Sequence, residues 1–196
     1  MKGTNNCKSQ RNFKHNGQNI LWSHLQQAYA YDVEHNQIQT FKYLTPHHFD
    51  PSSAEKMRNY LADDVIGKRM LEVVQNYKHH LNRKGQNGDQ LNMTMEFLNI
   101  TSILLKNFKS TCPFRSNDDV RFIENQACLE WFRSWKVQVQ LLEGVTPKEK
   151  KIECSYQKKT EFDVYSMILG YKNYCSILLQ MFPGTCLITC NKSRQA

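Results

Sequence analysis

Met57, Leu61 and Val65 recur every four residues behind the run Asp50-Pro51-Ser52-Ser53-Ala54-Glu55, and this pairing of a start signal with an apolar period constrains the chain most. Asp50-Pro51 marks a turn. Ser52 followed by Glu55 fits a capping box, in which each side chain satisfies a backbone N–H that the first helical turn leaves open. A helix opening at Ser52 with one buried face is therefore expected. Gly67 interrupts the pattern, at a cost of about 1 kcal/mol relative to alanine in a helix interior. Met70, Val73, Val74, Tyr77 and Leu81 then resume it, so a kinked helix and two abutting helices both fit. His79-His80 are expected near its close.

The remaining chain reads as further helices joined by polar turns. Residues 1–18 are basic and polar, without a sustained period: a tail or the remnant of another domain. From Asn19, the positions Ile20, Leu21, Trp22, Leu25, Ala28 and Tyr29 keep helical spacing to about Glu34, with Trp22 as a core anchor. Phe41, Tyr43 and Leu44 alternate with polar residues before Pro46, which suggests an extended link or short strand. Residues 82–89, with Gly85 and Gly88, form a loop. Leu91, Met95, Leu98, Ser102, Leu105 and Phe108 define the next helix, stopped by Cys112-Pro113. Ser116 and Asp119 cap a fourth, with Val120, Ile123, Ala127, Trp131 and Trp135 as its expected inner face, ending at Gly144. A fifth runs from Phe162 to Phe182, and Cys186 to Cys190 reads as a short strand. The expected fold is mainly α, a helical bundle of about five main helices with short extended pieces at the ends.

A net charge of +8 goes with Lys2, Lys8, Arg11 and Lys14 near the start and with Lys148, Lys150, Lys151, Lys158 and Lys159 around Pro147. Such clusters suit phosphate or simply face water. Seven cysteines, scattered without C-x-x-C spacing, fit reduced thiols in an intracellular protein, nuclear or cytoplasmic, better than a disulfide frame or zinc site. No apolar run approaches the ~18 residues of a membrane span. Adjacent histidines, His47-His48 and His79-His80, diverge on a helix and make no chelate alone; Asp63-Asp64 and Asp118-Asp119 show no catalytic convergence. Cys128 and Cys175 lie in helical stripes as buried small hydrophobes. No metal ligands and no catalytic residues are assigned.

His48, Pro51, Lys56-Met57, Leu61-Ala62 and Val65 follow the pattern H-x-x-P-x-x-x-x-K-M-x-x-x-L-A-x-x-V, which resembles the opening of the GTP-binding insertion domain of P element-type transposases, including THAP-associated ones. FKHNGQNILWSHLQQAYAYD at residues 13–32, EFLNITSILLKNFKS at 96–110, FRSNDDVRFIENQACLEWFRSWKVQV at 114–139 and FDVYSMILGYKNYC at 162–175 resemble further blocks of that family, in its order. The resemblance implies a helical GTP-binding-type insertion domain over residues 19–160. Residues 161–196 would lead back into a truncated ribonuclease H-like domain, and residues 1–18 would be a tail or remnant of it. The family's two aspartates lie upstream of the block at 13–32 and its glutamate beyond the matched blocks, so the expectation is a catalytically incomplete fragment and not an enzyme.

What the resemblance leaves is nucleotide binding. No G-x-x-x-x-G-K-[ST] loop is present, and in this family GTP, with Mg2+, is a structural cofactor that is not hydrolysed. The resemblance places phosphate-side groups on Lys42 and Arg58, with nearby contacts on Asn59 and Gly67. It places guanine recognition on a helix-end pattern F-D-x-x-N-S, which here reads Leu105-Lys106-Asn107-Phe108-Lys109-Ser110. Lys106 replaces the acid and Lys109 the asparagine, and a lysine accepts no hydrogen bond. Guanine selectivity then requires Asn107, Asp118 or Asp119 to substitute. The implied partners are DNA or a full-length transposase, and no membrane. The alternative is a domesticated helical protein- or DNA-interaction module that has lost nucleotide binding.

Overall fold

Asn16-Gly17 turns the chain first. Both residues adopt positive φ, 50° and 73°, the geometry a two-residue hairpin turn demands and that Asn-Gly supplies at low cost. The turn joins strands β1 (Phe13–His15) and β2 (Gln18–Ile20), antiparallel with Phe13 opposite Ile20 and His15 opposite Gln18. The hairpin lies at the end of the stretch read as a tail or remnant, and it places Ile20, expected as the first helical anchor, on a strand. The computed structural model describes residues 13–35, 39–55, 58–112 and 119–141.

Within these residues the protein is mainly helical. Helix α1 spans Trp22–His35, the one-turn α2 Pro46–Phe49, α3 Asn59–Ile66, α4 Lys68–Arg83, α5 Asn92–Phe108 and α6 Val120–Leu141; a 3-10 turn at Asp89–Leu91 leads into α5. No helix among the described residues is long and apolar enough to cross a membrane. The expected helix at 162–182, the strand at 186–190, the lysine cluster at 148–159 and the lead into a ribonuclease H-like domain at 161–196 lie outside the described residues.

The capping box at Ser52 forms, but the helix it was expected to open does not follow directly. Ser52 N donates to Glu55 Oε2 at 2.8 Å and Glu55 N to Ser52 Oγ at 3.3 Å, closing a single turn. Arg58 is then extended, with ψ 106°, and α3 begins at Asn59. Met57 lies outside the described residues, whereas Leu61 and Val65 are buried as expected. At Gly67 the two abutting helices are realised: its ψ of 175° ends α3 and starts α4. A Cβ at this position would stand 2.8 Å from the Asp63 carbonyl oxygen, so steric room, not backbone φ, demands glycine.

By contact the chain divides into two compact units, Met1–Ser102 and Ile103–Ala196. The first is built on α1 against α4, which pack along each other. Leu25 and Ala28 of α1 meet Met70, Val73, Val74 and Leu81 of α4, and Phe41, Leu44, Leu91 and Leu98 complete the core. Phe41 and Leu44 reach it from turns, with Leu44 N bonded to Phe41 O at 3.0 Å, and not from the extended link suggested by their alternation. Buried polar groups are paired: Asp32 accepts from Thr40 N at 3.1 Å, His24 Nδ1 meets Thr94 Oγ1 at 2.8 Å, and Thr101 Oγ1 lies 2.8 Å from Ile66 O. These bonds tie α5 to α1 and to the end of α3. They also place Thr94 and Thr101 on the buried side of α5, where Ser102 and Leu105 had been expected and are only half-buried.

In the second unit the buried face of α6 comprises Arg121, Phe122, Asn125, Cys128, Leu129, Phe132 and Trp135. Val120 and Ile123 are 60% and 65% exposed, and Ala127 is exposed, which overturns the expected inner face at its first three positions. Trp135 is buried and Trp131 packs edge-on against it, ring centroids 5.5 Å apart.

Candidate functional site

The last turn of α5 and the first turns of α6 bring a dense polar network together. Lys109 N still bonds to Leu105 O at 3.0 Å and Ser110 N to Asn107 O at 3.4 Å, so Lys106, Asn107, Lys109 and Ser110 lie on or just past the helix end. At the facing start, Asp119 caps α6: its Oδ1 accepts from Arg121 N at 3.0 Å and its carbonyl from Phe122 N at 2.9 Å. This satisfies donors that a helix start leaves open; Asp119 thus precedes the helix, and Ser116, expected to form a capping box with it, lies outside the described residues.

The same carboxylate is gripped by the Arg121 side chain. Nε donates to Asp119 Oδ1 at 2.8 Å and Nη2 to Oδ2 at 2.7 Å, a bidentate charge-assisted pair. Arg121 Nη1 also donates to Ser110 Oγ at 3.1 Å and to Cys112 O at 2.7 Å, so one guanidinium joins the end of α5 to the start of α6. Hydrogen bonding from Arg121 holds the Asp119 carboxyl below the usual carboxylate range, against the opposing effect of burial.

One turn deeper, Asn107 Nδ2 donates to Glu124 Oε2 at 2.9 Å and to Asn125 Oδ1 at 3.0 Å. The other oxygen of Glu124, Oε1, lies 3.5 Å from Lys106 Nζ. Asn107 is 5% exposed, and its Oδ1 has no hydrogen-bond donor among the described residues. Buried acceptors in native proteins are nearly always satisfied. Below them, burial and then the Glu124 charge push the Cys128 thiol up to about 11.

The residues expected to bind nucleotide thus fall into two groups. Lys106, Lys109, Ser110 and Asp119 belong to the second unit, where Lys106, Ser110 and Asp119 enter the network; Asp118 lies outside the described residues. Lys42, Arg58, Asn59 and Gly67 belong to the first unit. Lys42 Nζ sits 5.0 Å from the Tyr43 ring centroid, and Arg58 Nη1 donates to Tyr60 Oη at 3.2 Å. Among the described residues no hydrogen bond or ion pair joins Lys42 to Arg58. Asn59 opens α3, and Gly67 has the steric role given above. Sequence reasoning missed Arg121, Glu124 and Asn125. Their signal was present as three polar residues at helical spacing on what proves to be the buried side of α6.

The described residues hold no group of three or more histidine, cysteine, aspartate or glutamate side chains able to bind a metal ion. His47 pairs with Glu55 at 3.3 Å and His48 with Asp64 at 3.4 Å. A magnesium ion accompanying a nucleotide is held largely by phosphates and water and needs no such cage. No family model matches this chain, and no curated protein or solved structure matches it.

Proposed function

We propose that this chain is a guanine-nucleotide-binding helical module of the P element-type transposase kind, supporting DNA transposition in a parent protein and performing no strand transfer itself. GTP with Mg2+ is the proposed ligand, acting as a structural cofactor. DNA or a full-length transposase is the proposed partner, and the nucleus the proposed place of action. The resemblance of five sequence blocks supports this reading.

The observation that carries it is the network at the α5–α6 corner. Lys106 and Ser110, on positions the resemblance points to, and Asp119, the neighbouring acid considered as a substitute, share it with Asn107 and Glu124. The net charge of +8 favours phosphate-bearing ligands in general. The second reading, an interaction module without nucleotide, draws on the exposed apolar residues Val120, Ile123 and Val137 of α6, which a protein partner would cover.

Competition binding separates the two. A fluorescent GTP analogue titrated into the purified full chain with Mg2+ should bind saturably and be displaced by unlabelled GTP. Absence of saturable binding by the folded chain would leave the interaction-module reading.

A further inference from the structure

Glu124 faces the Lys106 side chain with one oxygen and the Asn107 amide with the other. Because a carboxylate only accepts, the amide of Asn107 must turn its NH2 toward Glu124, and its Oδ1 has no donor among the described residues. Lys106 is 69% exposed, and its 3.5 Å approach to Glu124 is longer than the ~2.7–2.9 Å of a strong charge-assisted bond. The lysine is therefore free to swing while Asn107 keeps the carboxylate aimed. Asp119, an alternative acid at the start of α6, already has both oxygens on Arg121.

On the nucleotide-binding reading above, on which this inference rests, we infer that Glu124 is the residue that selects guanine. Its carboxylate accepts the N1–H and 2-amino donors of the base's Watson–Crick edge, and Lys106, displaced from Glu124, donates to O6. The lysine in place of the family's acid then keeps a function, because the acid is supplied from α6. Adenine inverts the pattern: its N1 lone pair would face the carboxylate and its 6-amino group the ammonium, two repulsive contacts. Asn107 is a positioning residue for Glu124.

The test is calorimetric titration of the full chain with GTP, ITP and ATP, each with Mg2+. ITP lacks only the 2-amino group, so affinity should fall in the order GTP, ITP, ATP. Glu124→Gln replaces one acceptor by a donor, and should lower GTP affinity about tenfold while leaving ATP affinity unchanged or raised, because one repulsive contact with adenine is removed. If Glu124→Gln does not unfold cooperatively, Glu124→Asp, which keeps the charge and shortens the reach, should retain the order with a reduced GTP preference. An unchanged GTP-to-ATP ratio in a folded Glu124→Gln or Glu124→Asp protein would overturn the inference and leave the nucleotide reading standing. Equal binding of GTP and ATP by the wild-type chain would overturn this inference and the guanine preference of the proposed function, leaving nucleotide binding without base selection. No binding of any of the three would overturn both.

Discussion

Arg121 and Asp119 meet through two parallel hydrogen bonds of 2.8 and 2.7 Å, and the pair is largely shielded from water, with side chains 11% and 17% exposed. The pairing fixes where α6 begins relative to the end of α5, because the same guanidinium reaches Ser110 and the Cys112 carbonyl.

A double-mutant cycle should expose this coupling. Arg121→Ala and Asp119→Ala are each expected to destabilise the chain, with an interaction energy in the upper part of the ~0.5–3 kcal/mol seen for contacting residues. Denaturant unfolding of the two single variants and the double variant measures it. Additive losses would show that the pair carries no stabilising interaction of its own.

Gly67→Ala tests whether this glycine is required sterically. The added Cβ would stand 2.8 Å from a backbone oxygen of α3, which cannot swing aside as a side chain can. The expected cost is about 1–3 kcal/mol, as for other overpacked sites. Unchanged stability would mean that the α3–α4 junction opens freely.

How much of this was legible beforehand depended on whether one periodic pattern competed with another. The face of α4 was readable because Met70, Val73, Val74 and Leu81 have no apolar rivals on the other side. In α6, Val120, Ile123 and Ala127 form as regular a stripe as the buried set, and the buried set includes Arg121 and Asn125, which hydropathy assigns to water. Phe122, Cys128, Leu129, Phe132 and Trp135 supply the apolar stripe that wins, and the hydrogen bonds of Arg121 and Asn125 let those two polar side chains be buried with it. The hairpin escaped because strands of three residues show no alternation, although Asn16-Gly17 was a readable signal. At the site, local pattern directed attention to Asp118 and Asp119, next to a helix start, whereas the Asn107–Glu124 bond joins residues seventeen apart. No spacing rule reveals such a contact before the two helices are in place.

Stability should fall with acid below neutral pH because of two buried imidazoles. Burial lowers the pKa of His24, and lowers that of His15 against a smaller opposing effect of Glu96, both from an ordinary value of 6.5. Above about pH 6.5 both states are neutral and nothing changes. Below it the unfolded chain takes up protons that the folded chain refuses, so stability is lost as pH falls from 6.5 to the lowered folded values. His24→Gln, which can still bond Thr94, should flatten part of this decline in melting temperature between pH 7 and 5. A decline of the same size in the variant would exclude His24 as a source.

The two described cysteines should differ in reactivity. Cys112 is exposed and Cys128 buried, with the latter's thiol pushed up to about 11 and so almost without thiolate at neutral pH. Cys112→Ser is expected to lower the number of rapidly labelled thiols in the folded protein by one, and Cys128→Ser to leave it unchanged. Loss of a fast thiol in Cys128→Ser would show that α6 opens readily.

The central claim, guanine-nucleotide binding, is tested most directly by thermal unfolding of the full chain with GTP and Mg2+, against ATP and Mg2+. A ligand present at 100 times its Kd stabilises the folded state by about 2.7 kcal/mol, enough for a clear rise in Tm. The account predicts a rise with GTP that exceeds any rise with ATP. A cooperative transition that neither nucleotide moves would contradict it.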